Sequence, residues 1–111
     1  MSDEKYEGWA NRETWAYNLW LNNEEGTYKT INEMARSAIR KSKKEAGGNA
    51  PMAIGHLSHD LKDFLDEVVE HARDGNAEAF KMVDDIGSRW RIDYGEIAKN
   101  WINDLGWLEV I

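Results

Sequence analysis

The chain has 111 residues, room for one hydrophobic core, with a formal net charge of -7 and a mean hydropathy of -0.74. It has no cysteine, which excludes disulfides, thiolate catalysis, zinc fingers and iron–sulfur clusters. No apolar run approaches the roughly 18 residues of a membrane span, and the acidic balance opposes general binding to phosphate backbones.

Six Trp, four Tyr and two Phe supply large buried areas, unlike a disordered chain. Met1-Ser2-Asp3-Glu4-Lys5 is polar and acidic, so it does not read as a signal peptide, and a cytoplasmic location in a host cell is expected. Residues 1–10 read as an N-terminal arm to a single helical domain over 1–111.

The segment Gly8 to Trp20 holds half of the tryptophans, threaded with Asn11, Glu13, Thr14 and Asn18. A first helix is expected from about Asn11, its N-cap, to Asn23, with Glu13 suiting the helix dipole. Gly26 is expected to terminate it. Its apolar residues cover more than one face, so it reads as a central helix. Trp9 is expected to pack on Trp15 or the next turn as a hydrophobic staple. Trp20 and Tyr28 are expected to close the helix–turn–helix that follows.

A second helix is expected from Thr27 or Thr30 to Glu45. Thr30-Ile31-Asn32-Glu33 has the form of a capping box. Tyr28, Ile31, Ala35, Ala38 and Ile39 form its apolar stripe. Arg36, Arg40, Lys41, Lys43 and Lys44 crowd its last turns, where cations complement the carbonyl end. Residues 46–52, which contain Gly47, Gly48 and Pro51, read as a loop.

A third helix follows. Leu57, Leu61, Phe64, Leu65, Val68 and Ala72 step by three and four along one face. Asp60, Lys62, Asp63, Asp66, Glu67 and Glu70 take the other side, and Gly75 closes the helix. A fourth is expected over Asn76 to Ile86, burying Phe80, Val83 and Ile86. Asp93-Tyr94-Gly95-Glu96 reads as a second capping box opening a fifth helix to about Leu105, with Ile97, Trp101 and Leu105 inward and Gly106 as C-cap. Trp107 to Ile111 is expected to dock on the body or form a short extended segment; pairing with Trp90-Arg91-Ile92 is one alternative. The fold class is therefore an all-α bundle of four to five helices.

The candidate chemistry is sparse. His56 and His59 lie three apart near Asp60 and Asp63, a spacing that can hold a metal, but no His-Glu-x-x-His signature is present. Solvated or capping histidines are the preferred reading, and no metal or cofactor is expected. His71, late in the same helix, suits its C-terminus. Pairs such as Glu24-Glu25, Asp66-Glu67 and Asp84-Asp85 read as solvated faces, because paired acid–base work needs two unlike environments. No phosphate-binding glycine loop or nucleophile elbow occurs. An enzyme is not expected.

Charge is segregated. Residues 27–59 hold six Lys/Arg against two acids, and residues 60–85 hold nine Asp/Glu against three Lys/Arg. The basic run could contact nucleic acid or lie beside the acidic helix. Asp60, Asp63, Glu67, Glu70 and Asp74 would place a charge about once per turn along one edge, a row that could imitate a phosphate backbone or simply be solvated.

Gly8-Trp9-x-Asn11-x-Glu13-Thr14-Trp15, followed by Leu19-Trp20-Leu21-x-Asn23-Glu24-Glu25-Gly26-x-Tyr28, resembles a family of small uncharacterised proteins encoded by phages, plasmids and related mobile elements in bacteria and archaea. The resemblance covers about the first quarter of the chain. Ile92-Asp93-Tyr94-Gly95-Glu96-Ile97-Ala98 also looks like that family's C-terminal helix start. The resemblance implies a mobile-element setting, a helical fold and no known catalytic residues. A structural role for Trp9, Asn11, Glu13, Thr14, Trp15 and Trp20 is preferred to a ligand site.

The expected function is a non-catalytic module binding a host protein or complex, an acidic inhibitor of host defence or nucleic-acid handling. Its contact residues are Asp60, Asp63, Asp66, Glu67, Glu70 and Asp74. The alternatives are a nucleic-acid accessory protein using Arg36, Arg40, Lys41, Lys43 and Lys44, and a small metal-dependent enzyme at His56 and His59.

Overall fold

The computed structural model describes residues 6–110 as five helices and one short 3-10 turn, with no strand among them. The helices are α1 (Arg12–Asn23), α2 (Glu25–Lys44), α3 (Ala50–Arg73), α4 (Ala77–Ile86) and α5 (Tyr94–Leu105). They form a flattened all-α body of 41 × 38 × 22 Å.

The central element is α3, not α1. It packs on α2, α4 and α5, and at 24 residues it is about 36 Å long. Ala53, Leu57, Leu61 and Leu65 step by four along its buried face, and Val69 continues the line. The opposing layer comes from Tyr17 and Leu21 of α1, Ile31, Ala35 and Ile39 of α2, Ile86 of α4, and Ile97 and Ile102 of α5, all fully buried or nearly so. In α1 the polar Thr14 shares the inward face with Ala16, Tyr17 and Leu21, while Leu19 is exposed and Trp15 and Trp20 are half-buried. The second apolar face of α1 therefore borders clefts between elements.

Helix limits follow the capping chemistry with two corrections. Asn11 caps α1, accepting from the Thr14 N–H at 2.9 Å. The break that follows is at Glu24, which is extended (φ -115°, ψ 129°), and Gly26 lies inside α2. Glu24 is the hinge because its side chain accepts from the Thr27 hydroxyl at 2.7 Å while its carbonyl starts α2 through Tyr28 N–H. Thr30 is consequently no cap: it is helical, and its hydroxyl bonds back to the Gly26 carbonyl. The second correction concerns Pro51. It stands in the first turn of α3, where a missing N–H costs nothing. Asn49 caps that helix through Met52 N–H, and the 46–52 loop shrinks accordingly.

In α4, Asn76 is the N-cap, but the buried residues are Met82 and Ile86, not Phe80, which is 61% exposed. Arg12 ties the end of this helix to α1: its guanidinium donates to the Asp85 and Ile86 carbonyls at 2.8 and 3.3 Å and lies 3.6 Å from the Asp85 carboxylate. The helix then stops at Gly87, whose φ of 86° and ψ of -127° are nearly closed to other residues.

Among the described residues no strand pairs the C-terminal segment with residues 90–92: Arg89–Arg91 is a 3-10 turn with Trp90 85% exposed. Gly106 ends α5 with φ 84°, a turn closes through Glu109 N–H to the Gly106 carbonyl, and Val110 docks in the core. The expectations for residues 1–5 of the arm and for Ile111 fall outside the described residues. No helix among those described is long and apolar enough to cross a membrane.

Candidate functional site

The Trp-rich opening segment is bonded to the head of α5. Thr14 is fully buried and acts twice: its hydroxyl donates to Asn11 Oδ1 at 2.8 Å and accepts the Asp93 N–H at 2.9 Å. Asn11 Nδ2 donates to the Arg91 carbonyl at 2.7 Å. Ala10 N–H reaches Glu96 Oε1 at 2.9 Å. The capping box at the head of α5 is therefore only half internal. Asp93 Oδ1 takes the Glu96 N–H as expected, but Thr14 replaces Glu96 as acceptor for the Asp93 N–H, leaving Glu96 to hold Ala10. The two segments that carry the family resemblance are one contact in space.

The rings behave similarly. Trp15 packs on Tyr6, with centroids 5.0 Å apart. Tyr6 is held there by paired backbone bonds to Trp9 across a turn in which Glu7 and Gly8 have positive φ. Trp20 donates its indole N–H to Asp85 of α4 at 2.8 Å, and Tyr28 leans on Trp101 of α5 at 5.2 Å. Both thus reach beyond the α1–α2 hairpin that was expected to hold them. Glu13 is mostly buried, with Oε2 3.8 Å from Arg91; its Oε1 has no partner among the described residues.

The acidic residues lie on the outer side of α3. Asp63, Asp66, Glu67, Glu70 and Asp74 are exposed and Asp60 is half-buried. Asp60, Glu67 and Asp74 repeat at seven-residue steps, so they line one edge about 10 Å apart, and none has an ion-pair partner among the described residues. The others are partly compensated. Asp66 lies 3.4 Å from Lys62 and 3.9 Å from Arg89, Glu70 2.9 Å from Arg73, and Asp63 3.2 Å from His59. An open depression holds Asp63, Asp66, Glu67 and Glu70 with Arg73 and Arg89 on its rim.

The basic run is largely occupied at home. Arg36 Nε donates to Asn32 at 2.9 Å, and Arg40 pairs with Glu33 at 3.1 Å. Lys43 donates to the Val110 carbonyl and sits 5.2 Å over the Trp107 ring, pinning the C-terminal segment. Lys41 faces α3 across a depression that also holds His56, His59, Asp60 and Asp63, so the basic helix does lie beside the acidic one. Lys44 is exposed at the end of α2.

His56 and His59 do not converge. His56 Nε2 lies 3.0 Å from Glu45, whereas ligand atoms of His59, Asp60 and Asp63 fall within 4.8 Å of one another. All three lie within five residues on the outer side of α3, where acidic groups cluster without an ion to explain them.

Sequence reasoning missed a cleft between α1, α2 and α5. It is walled by Trp9, Leu19, Tyr28, Trp101 and Leu105 and rimmed by asparagines and Asp104. The signal was there as amides four apart, Asn18 and Asn22, on the first helix, and as Asn100 and Asp104 on the fifth.

Across known families, one family model matches residues 2–105, that of a family of unknown function (DUF7249). No curated protein and no solved structure matches the chain.

Proposed function

The chain belongs to DUF7249, a family of unknown function, and from that premise we propose that it is a non-catalytic protein-binding module of a phage or other mobile element, docking through the acidic edge of α3. In this reading it blocks a host complex for defence or nucleic-acid handling, from the cytoplasm of the host. The observation that carries it is the edge running from Asp60 to Asp74. Three of its carboxylates (Asp60, Glu67 and Asp74) have no ion pair among the described residues, on the helix that packs on α2, α4 and α5.

The physics favours a basic protein surface as target. A preformed helix presents its carboxylates without a backbone ordering cost at docking. Long-range attraction then accelerates encounter with a positive patch. Successive carboxylates rise about 4.5–6 Å along the axis. A duplex carries one charge per about 1.7 Å, and Lys62, Arg73 and Arg89 lower the charge further. The row is thus a partial imitation of a phosphate track, suited to part of a nucleic-acid-binding groove.

The test is capture from a bacterial host lysate by the tagged protein and by a variant carrying Asp63→Lys, Glu67→Lys and Glu70→Lys. These side chains are exposed, so helicity should be unchanged. Loss of a specific partner by the variant is the expected result; undiminished capture would contradict the reading.

A further inference from the structure

We infer that the cleft between α1, α2 and α5 is a binding site for a guanidinium group, that of an arginine side chain presented by a partner protein. Its volume of about 390 Å³ falls in the range of small-ligand sites and exceeds what one guanidinium needs, leaving room for the flanking peptide.

The polar rim is built from helical neighbours four apart. Asn22 Nδ2 donates to the Asn18 carbonyl at 2.7 Å, and Asn100 Nδ2 donates to the Glu96 carbonyl at 3.0 Å. A backbone carbonyl can only accept, so each bond fixes which end of the amide is nitrogen. Both asparagines therefore use a donor on their own helix and keep Oδ1 as an acceptor. Asp104 adds a carboxylate that has no ion pair among the described residues, and no Lys, Arg or His among them lines the cleft.

The walls supply the second requirement. Tyr28 is 42% exposed, and its ring is tilted 46° to that of Trp101, giving an open aromatic face backed by an indole. A planar cation that only donates, is weakly hydrated and stacks on rings matches this set; an ammonium matches the charge but not the plane. Asn32 has its Oδ1 taken by Arg36, and its remaining NH2 donors suit a peptide carbonyl beside the arginine.

This site uses none of the α3 carboxylates, so it stands or falls apart from the acidic edge. The probe is a blocked Gly-Arg-Gly peptide titrated into the full chain and followed by NMR at the Trp101 indole and the Asn22 and Asn100 side-chain amides. Saturable shifts with a dissociation constant of about a millimolar are expected. A citrulline peptide, isosteric and uncharged, should bind at least about tenfold more weakly, a lysine peptide more weakly than arginine, and Asp104→Asn should weaken the arginine peptide by at least about tenfold. Circular dichroism of the isosteric variant checks that the fold is intact. Equal binding of citrulline or lysine, an unchanged Asp104→Asn titration, or no saturable shift at these groups would overturn the inference.

Discussion

Thr14 is the residue on which the ends of the molecule meet. Its single oxygen serves Asn11 and Asp93 at once, in a fully buried position. Thr14→Val keeps the shape and removes the oxygen, leaving the Asp93 N–H without its acceptor. We expect a loss of about 1–3 kcal/mol in urea unfolding, because a buried orphan donor costs its full desolvation. Tyr17 gives a second, pH-dependent case. Its phenol is buried and donates to the Leu61 carbonyl at 2.7 Å. Burial, then Tyr94 and Asp66, raises it well above the ordinary tyrosine value. The unfolded chain releases that proton near pH 10 while the folded chain holds it. Stability from this group is thus whole below about pH 10 and falls as pH rises beyond it. Tyr17→Phe should lower stability by about 0.5–1.5 kcal/mol at neutral pH and flatten its decline between pH 9 and 11, roughly the span around the model tyrosine value. A decline as steep as in the parent protein would count against a buried neutral phenol. Asn11 was legible as a cap because capping is local. The second bond of Thr14, to a residue 79 positions away, leaves no local trace.

At the level of elements, the centres of the buried faces of α2, α3 and α5 could be read from spacing, at Ile31, Ala35 and Ile39, at Leu57, Leu61 and Leu65, and at Ile97 and Trp101. Their edges could not: Tyr28 is exposed, Phe64, Val68, Ala72 and Leu105 are half-buried, and Val69 and Ile102 are buried instead. The face of α4 could not be read from spacing. Phe80, Met82, Val83 and Ile86 allow two inward faces, and the choice depends on packing against α3 and α1, elements distant in sequence. The α2–α3 junction has its own constraint. A Cβ on Gly48 would fall 1.7 Å from the Ser42 carbonyl oxygen, so the loop crosses the end of α2 too closely for any side chain. Gly48→Ala should therefore destabilise the fold by more than about 1 kcal/mol, beyond the ordinary effect of such a change, with a lower midpoint in thermal unfolding. An unchanged midpoint would show that the loop can move aside without cost. Pro51 misled the reading because a proline breaks a helix interior yet opens a first turn equally well.

Across the whole molecule, the formal charge of -7 is distributed so that α2 supplies cations that are mostly paired internally, while α3 turns carboxylates outward. Segregation of charge was plain in the sequence; its pairing was not, because Arg89 and Lys43 find their partners, Asp66 and Val110, across the fold. The aromatic cleft was equally hidden, since it draws on three helices that only packing brings together. The most direct measurement is the affinity of a captured partner for the parent chain and for the Asp63→Lys, Glu67→Lys, Glu70→Lys variant, by calorimetry at low and physiological salt. The account predicts at least about a tenfold loss on reversal and a parent affinity that weakens as salt rises. Equal affinities for the two chains, indifferent to salt, would contradict it.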